Sequence, residues 1–97
     1  MSDYNNRKSQ RKPYVATVRF YSSVIDHGEP KKIDDESLII DVSSNGVGMF
    51  VGYAFEPGHV IYFRDMVRHN GSSRNTAVVR WTEEIYEEQY RVGCEFT

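Results

Sequence analysis

Two short groups of polar residues carry the chemistry that this sequence offers. The first is Arg7 and Arg11, four positions apart in a basic N-terminal stretch. The second is Asp41, Ser43 and Gly46, in a polar segment between two apolar, β-branched runs. An arginine fork binds phosphate through paired hydrogen bonds and also recognises the O6/N7 edge of guanine. A carboxylate accepts hydrogen bonds from N1–H and N2–H on the opposite guanine edge, so together the two groups are complementary to a guanine nucleotide.

The segment from Asp41 to Gly46 has a second interpretation, as turn chemistry. Asp41 and Ser43 lie two apart on a predicted strand, so we expect their side chains to project to the same face. Asn45 and Gly46 can supply the positive φ of a tight turn between strands. The carboxylate and the hydroxyl would then cap backbone amides. The pattern by itself leaves both interpretations open.

No group of residues indicates catalysis or a metal site. The histidines at 27, 59 and 69 lack the spacing of a catalytic triad or a zinc site. Cys94 alternates with apolar residues and is predicted to be a buried thiol. Trp81 alternates with Ala77 and Val79, so it too is predicted to lie in the core. The paired acids at 34–35 and 87–88 are interpreted as solvated charge. The sequence therefore predicts a protein that is not an enzyme and that needs no metal or cofactor.

The charge distribution favours a small anionic ligand. The chain has 97 residues, enough for one domain, and a formal net charge of −2. Residues 1–19 contain five basic side chains and one aspartate, so that stretch carries +4 and the remainder −6. A broad acidic surface disfavours duplex nucleic acid. The sequence contains no apolar run of membrane-spanning length, and its single cysteine is typical of a reducing compartment, so we expect a cytoplasmic location.

Hydrophobic periodicity predicts an all-β domain. Residues 1–12 show no periodicity and are predicted to form a flexible basic arm, followed by one domain at 13–97. Without a helix long enough to cover a sheet, and because closure removes exposed edges, the expected fold is a six-stranded antiparallel barrel. The predicted strands lie near 14–21, 37–43, 47–53, 59–64, 77–81 and 91–96. They are connected by a charged segment at 31–36, a type II turn at 56–58 and an acidic loop or short helical turn at 83–88.

The order of the two motifs resembles that of a known family. An R-x-x-x-R pair at Arg7 and Arg11 is followed, roughly thirty residues later, by D-x-S-x-x-G from Asp41 to Gly46. Together with the segments 46–49, 57–58, 77–81 and 90–96, this arrangement resembles the PilZ domain over essentially the whole chain from Arg7. One position departs from the family's pattern, because Asn6 stands where a further arginine is common.

The resemblance implies a six-stranded antiparallel barrel that binds the bacterial second messenger cyclic di-GMP without catalysing a reaction. Arg7 and Arg11 would hold its phosphates and guanine from the arm. Asp41 and Ser43 would recognise guanine, and Gly46 would let the backbone turn and approach. The implied protein is a receptor, monomeric or homodimeric, that relays occupancy to an unidentified downstream protein.

Two other functions compete with that of a receptor. One is a PilZ-like adaptor that works through protein contacts alone, although it would have no reason to keep all four polar motif residues. The other is a barrel of the OB type that binds single-stranded nucleic acid on stacking aromatic side chains. The aromatic residues here alternate as core residues do, which favours the receptor.

Overall fold

The computed structural model describes residues 12–69 and 71–97, which form six antiparallel β-strands. They close into a barrel in the order β1-β2-β3-β6-β5-β4, and this confirms the predicted all-β, six-stranded antiparallel barrel. Arg7, Arg11 and the rest of the predicted arm before Lys12 lie outside the described residues. No helix in the described part of the chain is long and apolar enough to cross a membrane. The strands are β1 (Lys12–Asp26), β2 (Glu29–Val42), β3 (Gly46–Val51), β4 (Val60–His69), β5 (Ser72–Tyr86) and β6 (Gln89–Phe96).

The barrel interior is filled by every second residue of the strands. On β1, Val18 and Phe20 are buried whereas Arg19 between them is exposed, as the predicted alternation requires. Phe20 also meets Phe55, from the loop after β3, edge to face with ring centroids 6.0 Å apart. Cys94 is 2% exposed and lies in the core, which confirms the predicted packing thiol. Each large apolar side chain buried in this way contributes about 1.5–3 kcal/mol.

Two polar stretches predicted to be loops belong to strands. The charged stretch at 31–36 lies within β2, which pairs with β1 as far as the hairpin turn at His27 and Gly28. Both turn residues have positive φ, 53° and 81°, as a two-residue hairpin turn needs. The acidic stretch at 83–88 is likewise mostly strand, because β5 continues to Tyr86 before the turn. Outward positions on a barrel tolerate charge, so polarity alone did not mark these strands.

The barrel closes through a short seam between β1 and β4. Within the described residues these strands pair at two positions, Phe20 with Phe63 and Tyr21 with Tyr62. The tyrosine rings stack on the outside with centroids 5.0 Å apart. The fully buried hydroxyl of Ser22 donates to the carbonyl of Val60 at 2.5 Å. A few specific contacts therefore hold the seam that completes the barrel.

The loop between β3 and β4 contains the predicted type II turn. Gly58 has a φ of 101°, the positive torsion that this turn needs at its third residue. The amide of His59 donates to the carbonyl of Glu56 at 3.1 Å, closing the turn. This prediction is confirmed.

Candidate functional site

The turn between β2 and β3 is organised by Ser43. Its hydroxyl oxygen accepts hydrogen bonds from the amides of Asn45, at 3.2 Å, and Gly46, at 3.3 Å. The amide of Ser43 donates in turn to the carbonyl of Gly46 at 2.9 Å. Ser43 is 1% exposed. For this residue the structure has the turn-capping arrangement, which is one of the two interpretations that the sequence left open.

Gly46 is needed for space rather than for an unusual torsion. Neither Asn45 nor Gly46 has positive φ, so the predicted reason for glycine was wrong. A Cβ at position 46 would instead lie 2.1 Å from the carbonyl oxygen of Cys94, which belongs to the neighbouring strand β6. The same approach lets the amide of Phe96 donate to the carbonyl of Asn45 at 2.8 Å. The turn is thereby fixed to β6.

Asp41 begins a row of outward-facing positions that crosses four strands. It pairs with Gly48 on β3. Gly48 pairs with Gly93 on β6, and Gly93 pairs with Trp81 on β5. On β3 and β6 the residues on both sides of each glycine are buried in the core, so the row faces outward. A carboxylate and an indole thus stand at opposite ends of two adjacent glycines.

Trp81 reaches this outer row because of a β-bulge. The register between β5 and β6 shifts between Val79 and Trp81, so one extra residue of β5 is accommodated there. Val79 points into the core, whereas Trp81 is 42% exposed on the outside. The sequence prediction of a core tryptophan was therefore wrong. Simple alternation placed the two residues on one face, and the bulge at Arg80 moved the indole to the other.

The two glycines form a floor onto which the end residues fold. A Cβ at Gly93 would lie 2.2 Å from Nε1 of Trp81, so the indole covers the backbone there. A Cβ at Gly48 would lie 3.0 Å from Oδ1 of Asp41, so the carboxylate leans over that glycine. Both glycines are themselves buried. We call the surface formed by Asp41, Gly48, Gly93 and Trp81 the glycine groove.

Arg91, two residues before Gly93 on β6, places a guanidinium group over this groove. Its Nη2 lies 3.9 Å from Oδ2 of Asp41. The centre of its guanidinium lies 5.7 Å from the centroid of the Trp81 ring, within the range of a cation–π contact. Its Nε is buried and has no hydrogen-bond partner among the described residues. A buried donor without a partner costs about 1–3 kcal/mol, so an acceptor that reached this N–H would stabilise the site.

A recess of about 210 Å³ adjoins the groove on the side of Trp81. Gly46, Trp81 and Gly93 are among the residues that line it. Across it, Nε of Arg80 donates to a carboxylate oxygen of Glu95 at 2.7 Å. The recess therefore combines an aromatic wall with a charged rim, next to the turn that carries the D-x-S-x-x-G motif.

In a comparison with protein families, residues 5–97 match the PilZ domain. The chain belongs to the PilZ domain family. PilZ domains are generally non-catalytic receptors of cyclic di-GMP. The matched range includes both arginines of the R-x-x-x-R motif as well as the whole described barrel. Among curated proteins, none matches the chain.

The sequence motifs of this PilZ domain stand in different relations to the groove. Asp41 forms one end of the groove, whereas Ser43 and Gly46 build the turn beside it. Arg7 and Arg11 lie outside the described residues. Because Lys12 pairs with Val42, however, the chain enters β1 next to that turn. The motif arginines are therefore within a few residues of the groove along the chain.

Sequence reasoning missed Arg91, Trp81, Gly48 and Gly93 as groove residues. Arg91 and Gly93 alternate on β6 and so share a face, which was visible in the sequence. The register that sets Gly93 between Gly48 and Trp81 was not visible. Metal ligands and histidines are not part of the groove. No group of three metal-ligating side chains occurs among the residues that the structure describes. Nδ1 of His59 accepts a hydrogen bond of 3.0 Å from the amide of Glu56 in the loop between β3 and β4.

Proposed function

We propose that this PilZ domain is a non-catalytic, cytoplasmic receptor that binds cyclic di-GMP in the glycine groove and relays its occupancy to a partner protein. The observation that carries the proposal is the buried Nε–H of Arg91, which has no hydrogen-bond partner within residues 12–69 and 71–97. The guanidinium group that carries it lies between the Asp41 carboxylate and the Trp81 indole. A ligand with an acceptor at that point would supply the missing hydrogen bond. Family membership supports the choice of cyclic di-GMP as that ligand.

A guanine base would complement the two ends of the groove. Its N1–H and N2–H donors would pair with the carboxylate of Asp41, which can accept two hydrogen bonds. Its π-face would stack on Trp81, a contact worth about 1–3 kcal/mol per base in proteins that bind nucleotides in this way. The glycines between the two contacts leave room for the carboxylate and the indole to lie against the barrel, where the base would meet them. Asp41 would provide selectivity and Trp81 affinity.

The negatively charged phosphates of the ligand would pair with the guanidinium groups of three arginines. Arg91 lies in the groove and would donate through Nε to a phosphate oxygen or to O6/N7 of guanine. Arg7 and Arg11 would add a fork each from the chain segment before β1, as the family's R-x-x-x-R motif implies. Ser43 and Gly46 would act indirectly, because they fix the turn that lies beside the start of β1. The ligand's negative charges would thus be met from both sides of the groove.

Isothermal titration calorimetry with cyclic di-GMP tests the assignment. Each charged hydrogen bond is worth about 1.5–3 kcal/mol, so Arg7→Ala and Arg11→Ala should each weaken binding by about tenfold to a hundredfold. Arg91→Lys keeps the charge but loses the fork and should weaken binding by at least about tenfold. Arg68→Lys, an exposed conservative change on β4, is the control. If Arg91→Lys binds cyclic di-GMP as tightly as Arg68→Lys does, the glycine groove is not the binding site.

The competing adaptor function predicts a different result in the same experiment. An adaptor that works by protein contacts alone would show no heat of binding with cyclic di-GMP for any variant. A single-strand binding barrel would bind a DNA oligomer instead. Including GTP and a DNA oligomer as titrants therefore separates the three functions.

A further inference from the structure

A second row of outward-facing positions lies directly beside the glycine groove. Leu38 on β2 pairs with Phe50 on β3, and Phe50 pairs with Arg91 on β6. Leu38 is 38% exposed and Phe50 is 39% exposed, so an aliphatic and an aromatic side chain stand side by side on the barrel surface. The hydroxyl of the buried Ser37 donates a hydrogen bond to the carbonyl of Phe50 and so holds the two strands together there.

This apolar pair forms one side of an open groove of about 420 Å³ whose rim is acidic. The carboxylates of Glu36, on β2, and Glu88, in the turn between β5 and β6, both line it. The hairpin that carries Glu88 adds three more exposed acids: Glu83, Glu84 and Glu87. An apolar centre with a charged rim is the usual anatomy of a protein-binding surface. We call this surface the Leu38–Phe50 groove.

Another exposed aromatic cluster of the described barrel, at Tyr21 and Tyr62, differs in having its own cationic cover. Tyr21 stacks on Tyr62, and Arg64 lies 4.7 Å from the centroid of the Tyr21 ring. Lys32 lies 5.0 Å from the same centroid. No such cation–π contact is recorded for Phe50 within residues 12–69 and 71–97. At Tyr21 the chain's own cations therefore cover the aromatic ring. At Phe50 the ring is bordered by carboxylates and is available to a partner.

We propose that the Leu38–Phe50 groove is the surface that docks a partner protein, through a segment that combines apolar side chains with lysine or arginine. The apolar side chains would cover Leu38 and Phe50. The basic side chains would pair with Glu36 and Glu88. Charge complementarity thus selects a basic segment over a neutral or acidic one.

The position of Arg91 connects this groove to the ligand site. Arg91 is the cross-strand neighbour of Phe50 and at the same time lies 3.9 Å from Asp41 in the glycine groove. A ligand that engages Arg91 changes the group that stands next to the docked segment. This coupling rests on the proposed function, whereas docking of the basic segment does not. Ligand and partner should therefore alter each other's affinity by the same factor.

The test uses the full chain labelled with ¹⁵N and a defined peptide of twelve residues that alternates leucine and lysine. Titration should shift the amides of Leu38, Phe50 and their neighbours on β2, β3 and β6. A serine–lysine peptide, which lacks the apolar side chains, and a leucine–glutamate peptide, which reverses the charge, should bind about tenfold more weakly or not at all. Equal binding of all three peptides, or shifts confined to β1 and β4, would overturn the proposal.

Matched variants locate the contact. Phe50→Ser and Glu88→Lys should each weaken binding of the leucine–lysine peptide by about tenfold, and both positions face outward, so the barrel should stay folded. Met66→Ser, at a position 54% exposed on β4, and Glu29→Lys, at the far end of β2, are the controls and should bind as the parent does. Unchanged binding by Phe50→Ser would contradict the proposal, and so would equal losses in the controls.

Two further outcomes are distinguishable in the same titrations. Absence of cyclic di-GMP binding, together with the expected peptide and variant pattern, would remove the receptor function and leave the docking surface supported. If deletion of residues 1–11 shifts the Leu38 and Phe50 amides without added peptide and raises peptide affinity, the chain's own basic segment occupies the groove. That result would overturn the assignment to a partner protein.

Discussion

The indole of Trp81 covers the backbone of Gly93 so closely that a Cβ at position 93 would lie 2.2 Å from the indole Nε1. This relationship joins two strands on the outside of the barrel, where the bulge in β5 turns Trp81 away from the core. It also sets the floor and one wall of the glycine groove. The orientation of the indole toward a ligand therefore depends on the missing side chain of Gly93.

Gly93→Ala should displace Trp81 without unfolding the barrel. The added methyl group conflicts with the movable indole rather than with backbone, so the ring should swing outward and its exposure should rise. Affinity for cyclic di-GMP should fall by about tenfold to a hundredfold, since base stacking of about 1–3 kcal/mol is lost. Trp81 is the single tryptophan of the chain, so a red shift of intrinsic fluorescence reports the displacement directly.

Gly52→Ala is the matched control for that experiment. A Cβ at position 52 would meet nothing within 4 Å, so this variant should keep both the fluorescence maximum and the affinity of the parent. A Gly93→Ala variant that binds cyclic di-GMP as tightly as Gly52→Ala would show that the indole takes no part in binding.

Asp41→Asn should reduce selectivity more than stability. The amide replaces one of two acceptor oxygens by a donor, so the N1–H and N2–H of guanine lose a partner. Competition between cyclic di-GMP and cyclic di-AMP should then show a preference for guanine that has fallen by about tenfold. If Asp41 only stabilises the turn, the melting temperature should fall instead and the preference should stay. Asp65→Asn, an exposed change on β4, is the control for both measurements.

Ser22→Ala should weaken the seam between β1 and β4. The change removes the buried hydroxyl that donates a hydrogen bond of 2.5 Å to the carbonyl of Val60. A buried acceptor left without its donor costs about 1–3 kcal/mol. For a domain of this size each 1 kcal/mol lowers the melting temperature by about 4–8 °C. Thermal unfolding followed by circular dichroism measures the change. Ser23→Ala, at the adjacent exposed position, should leave the melting temperature nearly unchanged.

The pKa of Asp34 should respond to Arg64. Hydrogen bonds from Arg64, the shorter at 2.6 Å, hold the pKa of the Asp34 carboxyl below its ordinary value of 3.8 in spite of some desolvation. Because the folded-state pKa is the lower one, the pair stabilises the fold above that ordinary value and the contribution is lost as the pH falls through the folded pKa. Both groups are well exposed, so the effect on stability should be small.

An NMR titration of the Asp34 carboxyl carbon measures this effect. In Arg64→Gln the midpoint should move up toward 3.8, whereas Arg68→Gln should leave it in place. A midpoint that is the same in the parent and in Arg64→Gln would show that the ion pair does not persist in solution.

Alternation of apolar and polar residues was enough to predict the barrel and most of its core. Cys94 lies inside as predicted, and so do Val18 and Phe20 of the predicted first strand. The lengths of β2 and β5 were underestimated because strands at a barrel surface can carry long runs of charge, as at 31–36 and 83–86. Composition identifies such runs as polar, but only pairing with a neighbouring strand makes them strands.

Only the part of the site that belongs to a sequence motif could be predicted. The D-x-S-x-x-G pattern located Asp41 and the turn, yet it gave no reason to place Arg91 or Trp81 beside them. Their positions follow from the register of β3, β5 and β6 and from the bulge before Trp81, which are properties of the assembled sheet. The close approach of Gly46 to Cys94 has the same origin. Long-range pairing decides such contacts, and local sequence does not encode it.

The most direct test of the receptor account is a fluorescence titration of the parent protein with cyclic di-GMP, with GTP as the control titrant. Trp81 is the single tryptophan and forms one wall of the glycine groove. We therefore expect a saturable change in its emission with cyclic di-GMP, no comparable change with GTP, and a curve displaced by at least about tenfold in Arg91→Lys. A flat response to cyclic di-GMP, with calorimetry also showing no heat of binding, would contradict the account.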